Sequence, residues 1–199
     1  MTIDAVIELL VRLLFAMLLL GASLHKFSDR ASFSGVLAAY RLFPASMLSL
    51  LAIKIPIIEM ILGLAWLSGI QLTFVALASA MLMAAYTVAI AINLWRGNVD
   101  IDCGCGFGNS KSRATSYQRL SAGLLYRNGA LIGLALLALL PSNERLLGIL
   151  DYATVALACC GLMLGYAAFN QLLANKQVID SWRIPLIQDS LAQGENADA

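Results

Sequence analysis

The sequence predicts an all-α integral membrane helical bundle, with about five transmembrane helices and one short interfacial helix. Three observations carry that reading. Of the 199 residues, 60% are hydrophobic and 13% charged, against roughly 45–50% and a quarter in soluble domains. The mean hydropathy of +0.81 exceeds what a single soluble core of this length uses. The apolar residues also gather into uncharged runs long enough to cross a hydrocarbon layer of about 30 Å. A soluble globular enzyme is excluded on these grounds. With 13 Lys+Arg against 12 Asp+Glu the net charge is +1, so no basic field exists to hold nucleic acid.

The first span is expected at about 5–24, with Glu8 and Arg12 four residues apart on one helix face. A cleavable signal peptide is the rival reading, because Gly21-Ala22-Ser23 loosely imitates a cleavage site. Asp4 and Glu8 precede the first basic residue, however, and the apolar run is long enough to span, so the segment is predicted to be retained. Phe33, Val36, Leu37 and Tyr40 then give the amphipathic period of an interfacial helix, capped by Ser28 or Asp29 and ended by Pro44. From Met60 to Trp95 there are 36 residues without a charge. As one helix they would extend about 54 Å, so the polar break Ser68-Gly69-Ile70-Gln71 divides two spans, at about 47–67 and 72–95.

Residues 96–121 form the one substantial loop, rich in glycine and without helical periodicity. A fourth span follows at about 122–140, interrupted by Arg127 and Asn128, and a fifth at about 152–174 between Asp151 and Lys176. The bundle therefore fills residues 1–175. A polar tail over 176–199 is expected to be disordered at its end. Outside the spans, nine basic residues (Lys26, Arg30, Arg41, Arg96, Lys111, Arg113, Arg119, Lys176 and Arg183) face Arg145 alone on the other side. The positive-inside rule then places the N-terminus outside and the 96–121 loop in the cytoplasm.

Cys103 and Cys105 are the sharpest chemical signal. One intervening glycine lets two thiols close a small, strained ring, and strained exposed disulfides are the exchangeable ones. Two thiolates also bind Zn or Cu(I), but the loop offers no further cysteine and no histidine; two inert loop thiols are the third reading. Cys159 and Cys160 are adjacent within a span, where helical neighbours diverge, and read as packing groups. The Gly129/Gly133 and Gly161/Gly165 pairs suggest close helix approach.

Ionisable groups inside a membrane are costly and need a partner or a role. Glu59 in the second span is expected to pair with Arg127 of the fourth, beside Asn128, or with Lys54 across Pro56. Such a cluster fixes helix register or forms a proton or quinone-head site. His25 reads as a boundary residue.

Several motifs together resemble the MauE family of methylamine utilization proteins, related to DoxX-like membrane proteins. They are Lys26-Phe27 with Phe33, Tyr40-Arg41-Leu42-Phe43-Pro44, Pro56-Ile57-Ile58-Glu59, Asn93-Leu94-Trp95-Arg96-Gly97, Asp102-Cys103-Gly104-Cys105 with Phe107-Gly108, and Arg127-Asn128. Gly106 departs from the pattern, since an aromatic is expected to follow the second cysteine more directly. The resemblance implies an accessory role in maturing the disulfide-rich β subunit of periplasmic methylamine dehydrogenase, with a thioredoxin-like partner. Cys103 and Cys105 would be the exchange pair. Topology strains that picture, because the charge rule puts the loop where thiols stay reduced. Either the loop folds back so that reducing equivalents cross the membrane, or the orientation is reversed. The rival functions are a small membrane carrier using the intramembrane charges as its pathway, and a structural assembly factor. No nucleotide-binding motif is present and nothing reveals a quinone, so no cofactor is predicted.

Overall fold

The computed structural model describes residues 2–98, 120–143 and 145–197. It is an all-α membrane helical bundle. Its helices are α1 (Ala5–Ser28), α2 (Arg30–Tyr40), α3 (Ala45–Ser68), α4 (Leu72–Trp95), α5 (Ala122–Leu137) and α6 (Ile149–Ala197). Four are long and apolar enough to cross a membrane: α1, α3, α4 and α6 over Ile149–Leu173. At 16 residues α5 is shorter, about 24 Å at 1.5 Å per residue. Its last residue, Leu137, falls three residues before the expected end of the fourth span at about 140.

Asp4 caps α1 by accepting from the Val6 N–H at 2.9 Å. The expected i,i+4 pair forms, with Arg12 Nη1 3.6 Å from Glu8 Oε1. Arg12 also donates to the Trp66 and Leu67 carbonyls at 3.3 and 3.2 Å, supplying donors to the end of α3 where the helix itself has none. Gly69 stops α3 in the left-handed region at φ +70°. The positive φ favours glycine, and a Cβ there would lie 2.2 Å from Arg12 Nη2, so the guanidinium would have to shift from its place.

The interfacial helix is present, but its end differs from expectation. Asp29 caps α2 through Ser32 N–H at 3.0 Å, and Arg41, in the left-handed region, terminates it. Pro44 is the N-cap of α3 instead of the end of α2, because proline lacks only a donor that the first turn of a helix leaves unpaired in any case. The α6 backbone continues as helix through Ala197, where the sequence led to no helix after 175.

The core lies where α1 crosses α3. Phe15 stacks on Trp66 with ring centroids 5.0 Å apart, and the Trp66 indole donates to Ser79 Oγ of α4 at 2.9 Å. Close approach falls at other glycines than expected. A Cβ at Gly63 would meet Leu20 at 2.8 Å and one at Gly123 would meet Leu173 at 2.6 Å, whereas Gly129, Gly133, Gly161 and Gly165 face open space. Four-residue glycine spacing marks a contact only when a partner helix occupies that face. Large apolar side chains such as Leu64, Phe74 and Leu157 are exposed, as a lipid-facing surface requires.

Hydrogen bonds fix which loops share an end. At one end Ile3 N–H donates to the Pro141 carbonyl and Arg145 lies between Asp4 and Asp151. At the other, Arg96 Nη1 reaches the Arg41 carbonyl at 3.5 Å.

Candidate functional site

Each helix brings its polar residue inward on the same stripe that packs the core. On α1 the buried residues Val11, Phe15, Leu19, Ser23 and Lys26 step by three or four, and on α3 Ala52, Pro56, Glu59, Gly63 and Trp66 do the same. Lys26 and Glu59 are therefore aimed at one another. Ser23 donates to the Pro56 carbonyl at 2.8 Å, and this bond sets the register of α1 against α3 one turn away.

Lys26 Nζ is bonded to Glu59 Oε1, with side chains 4% and 1% exposed. Tyr86 of α4 donates its hydroxyl to the same Oε1 at 2.7 Å. The ammonium also lies 5.1 Å from the Phe33 ring centroid and 4.9 Å from that of Tyr86, two aromatic faces whose quadrupoles favour a cation. The expected partners of Glu59 are thus replaced: it is bound to neither Arg127 nor Lys54, and Lys54 is exposed. The reason is reach. Lys26 stands near the end of α1, and a helical side chain leans toward the N-terminus, so its four methylenes carry the charge into the bundle.

Arg127 and Asn128 are buried together on α5. Arg127 donates to Asn128 Oδ1 from Nε and Nη2 at 3.3 and 3.1 Å, and from Nη1 to Asn170 Oδ1 of α6 at 3.0 Å. Its guanidinium is 5.6 Å from the Tyr166 ring centroid. Glu59, Arg127 and Asn128, grouped in the sequence reading, do meet around one cavity of ≈ 40 Å³ that Lys26, Tyr86 and Tyr166 also line. Sequence reasoning missed Lys26, Tyr86, Tyr166 and Asn170 as members. Among the described residues no cluster of His, Cys, Asp or Glu could hold a metal ion.

Cys103 and Cys105 lie outside the described residues. Cys159 is buried, as a packing group is, whereas Cys160 on the next helical position is exposed; both are free thiols. Lys26 must also be withdrawn from the cations counted at the membrane surface. Eight remain against Arg145, and the direction of the bias is unchanged.

A buried polar cluster built from α1, α3, α4, α5 and α6 and enclosed by long apolar helices marks the class as a multi-pass membrane protein. Residues 4–141 match the family profile of methylamine utilisation protein MauE, and the chain belongs to that family. The match takes in Lys26, Glu59, Tyr86, Arg127 and Asn128, and ends before α6. No curated relative and no solved structure matches the chain.

Proposed function

We propose that this chain is an inner-membrane accessory factor that matures the β subunit of methylamine dehydrogenase by thiol–disulfide exchange. Cys103 and Cys105 are the exchanging pair, with a thioredoxin-like protein as partner. The observation that carries the reading is the sequence Cys103-Gly104-Cys105, which falls inside the matched family segment and joins α4 to α5.

The electron balance is closed by exchange alone. A client thiolate attacks one sulfur of the Cys103–Cys105 disulfide, forming a mixed disulfide and releasing the other as thiolate. The second client thiol then displaces the first sulfur, so the client gains a disulfide and the pair becomes a dithiol, having taken two electrons and two protons. A disulfide on the thioredoxin-like partner takes them back. The bundle supplies the platform: α4 and α5 hold the two ends of the loop at the membrane boundary.

Replacing both Cys103 and Cys105 by Ser is the test. The client should accumulate with wrong or missing disulfides while the variant still inserts and folds. Normal active dehydrogenase from cells carrying the double variant would reject exchange at this pair and leave the carrier or assembly reading.

A further inference from the structure

Two polar atoms at the intramembrane cavity, Glu59 Oε2 and Asn128 Nδ2, have no hydrogen-bond partner among the described residues. Their side chains are 1% and 2% exposed, and both line the same cavity. The surrounding bonds dictate which atoms are left over. Lys26 and Tyr86 occupy Glu59 Oε1, and Arg127 holds Asn128 Oδ1, so the amide presents its donor end. A buried donor or acceptor without a partner costs about 1–3 kcal/mol. Here an acceptor and a donor are left at one space with room for a small polar group.

We propose that this cavity is a binding site for a hydroxyl group, which accepts from Asn128 Nδ2 through its oxygen and donates its proton to Glu59 Oε2. A single hydroxyl carries both the acceptor and the donor that these two atoms call for. An ammonium would leave the amide unpaired, and a ketone or carboxylate would leave the Glu59 oxygen unpaired. The walls contributed by Phe15, Leu19, Met83 and Leu131 are apolar, which suits a hydroxyl on an apolar body as well as internal water. Water and the hydroxyl of a membrane-soluble quinol or phenol share the required chemistry. The site does not depend on exchange at Cys103 and Cys105, and its test is a binding measurement.

The full chain in phosphatidylglycerol-containing nanodiscs is examined with two probes. Infrared difference spectra in H2-18O report a tightly bonded internal water. Thermal stabilisation by a short-chain hydroquinone, with its dimethyl ether as control, reports an organic hydroxyl. Wild type should give one of the two signals, and Asn128→Leu should remove the water band or weaken hydroquinone binding at least about ten-fold. Asn128→Asp separates the sources while keeping an acceptor for Arg127. Water donates two protons and stays between two carboxylates with its band moved to lower frequency, whereas a phenolic hydroxyl donates one and is lost. Neither signal in wild type, equal stabilisation by the dimethyl ether, or signals unchanged in Asn128→Asp would overturn the proposal, whether or not Asn128→Leu folds.

Discussion

Lys26 and Glu59 neutralise each other inside the bundle although they lie 33 positions apart in the sequence, with the whole of α2 between them. The pair joins α1 to α3, and the Tyr86 hydroxyl extends it to α4. Phe33 of α2 lies over the ammonium at 5.1 Å, so α2 covers the charge from that side. One ion pair thus ties four helices together.

Breaking that pair from one side should be costly, and removing it whole much less so. Lys26→Met or Glu59→Gln leaves an ion or its polar shell uncompensated, a loss on the order of 3–5 kcal/mol for a fully buried pair. The Lys26→Met/Glu59→Gln double variant should recover a large part of either loss. Denaturant unfolding in mild detergent measures the cycle, and single losses that simply add would show that the two charges are not coupled.

Gly69→Ala should destabilise the protein more than Gly97→Ala. Both glycines have positive φ, +70° and +74°, so both variants carry the strain of a left-handed alanine, roughly 1 kcal/mol. Only at Gly69 does the added Cβ also strike Arg12 and displace its donors from the Trp66 and Leu67 carbonyls. A lower melting temperature for Gly69→Ala than for Gly97→Ala is the expected result, and Arg12→Ala in the Gly69→Ala background should narrow the gap.

How far the sequence revealed this molecule depends on the range of the interaction. Glu8 and Arg12 lie on consecutive turns of one helix, and Ser68-Gly69 interrupts an otherwise unbroken apolar run, so both were readable locally. The Glu59 partner was not, since charge and depth alone pointed to Arg127 or Lys54, and a lysine at a helix end ordinarily turns outward to the headgroups. The signal was there in the spacing: Lys26 continues the Phe15, Leu19, Ser23 stripe, which marks the core face. Tyr86 and Tyr166 gave no such sign, because an uncharged tyrosine in an apolar span looks like any other lipid-facing aromatic. The intended role of Gly129 and Gly133 failed for a related reason, as spacing names a face without naming a neighbour.

Ser79→Ala isolates one polar contact in the apolar part of the core. Trp66 is wholly buried and its indole N–H donates to Ser79 Oγ. Losing the acceptor orphans that donor in a region lipid and water do not reach, at about 1–3 kcal/mol. Trp66 fluorescence should shift to the blue as the hydrogen bond disappears, while Ser79→Thr, which keeps a hydroxyl, should retain the wild-type emission if its methyl is accommodated.

Cys103 decides the orientation. The chain places the N-terminus and the 138–148 connection at one end, tied by Ile3 to Pro141, and Arg41 with Arg96 at the other. The eight cations that the sequence reading assigns to the Arg41 side, after Lys26 is discounted, predict that this end faces the cytoplasm. By the charge bias, a membrane-impermeant maleimide added to intact cells should leave Cys103 unlabelled and modify it after the membrane is opened, whereas direct exchange with a periplasmic client requires labelling in intact cells. Cys159 and Cys160 do not confuse the readout, since both lie within the apolar Ile149–Leu173 segment, and Cys105→Ser removes the neighbouring thiol so that no ring hides the target. Labelling in intact cells would reverse the bundle. The exchange loop would then share a compartment with a periplasmic client, and Arg145 would lie on the cytoplasmic face against the charge bias.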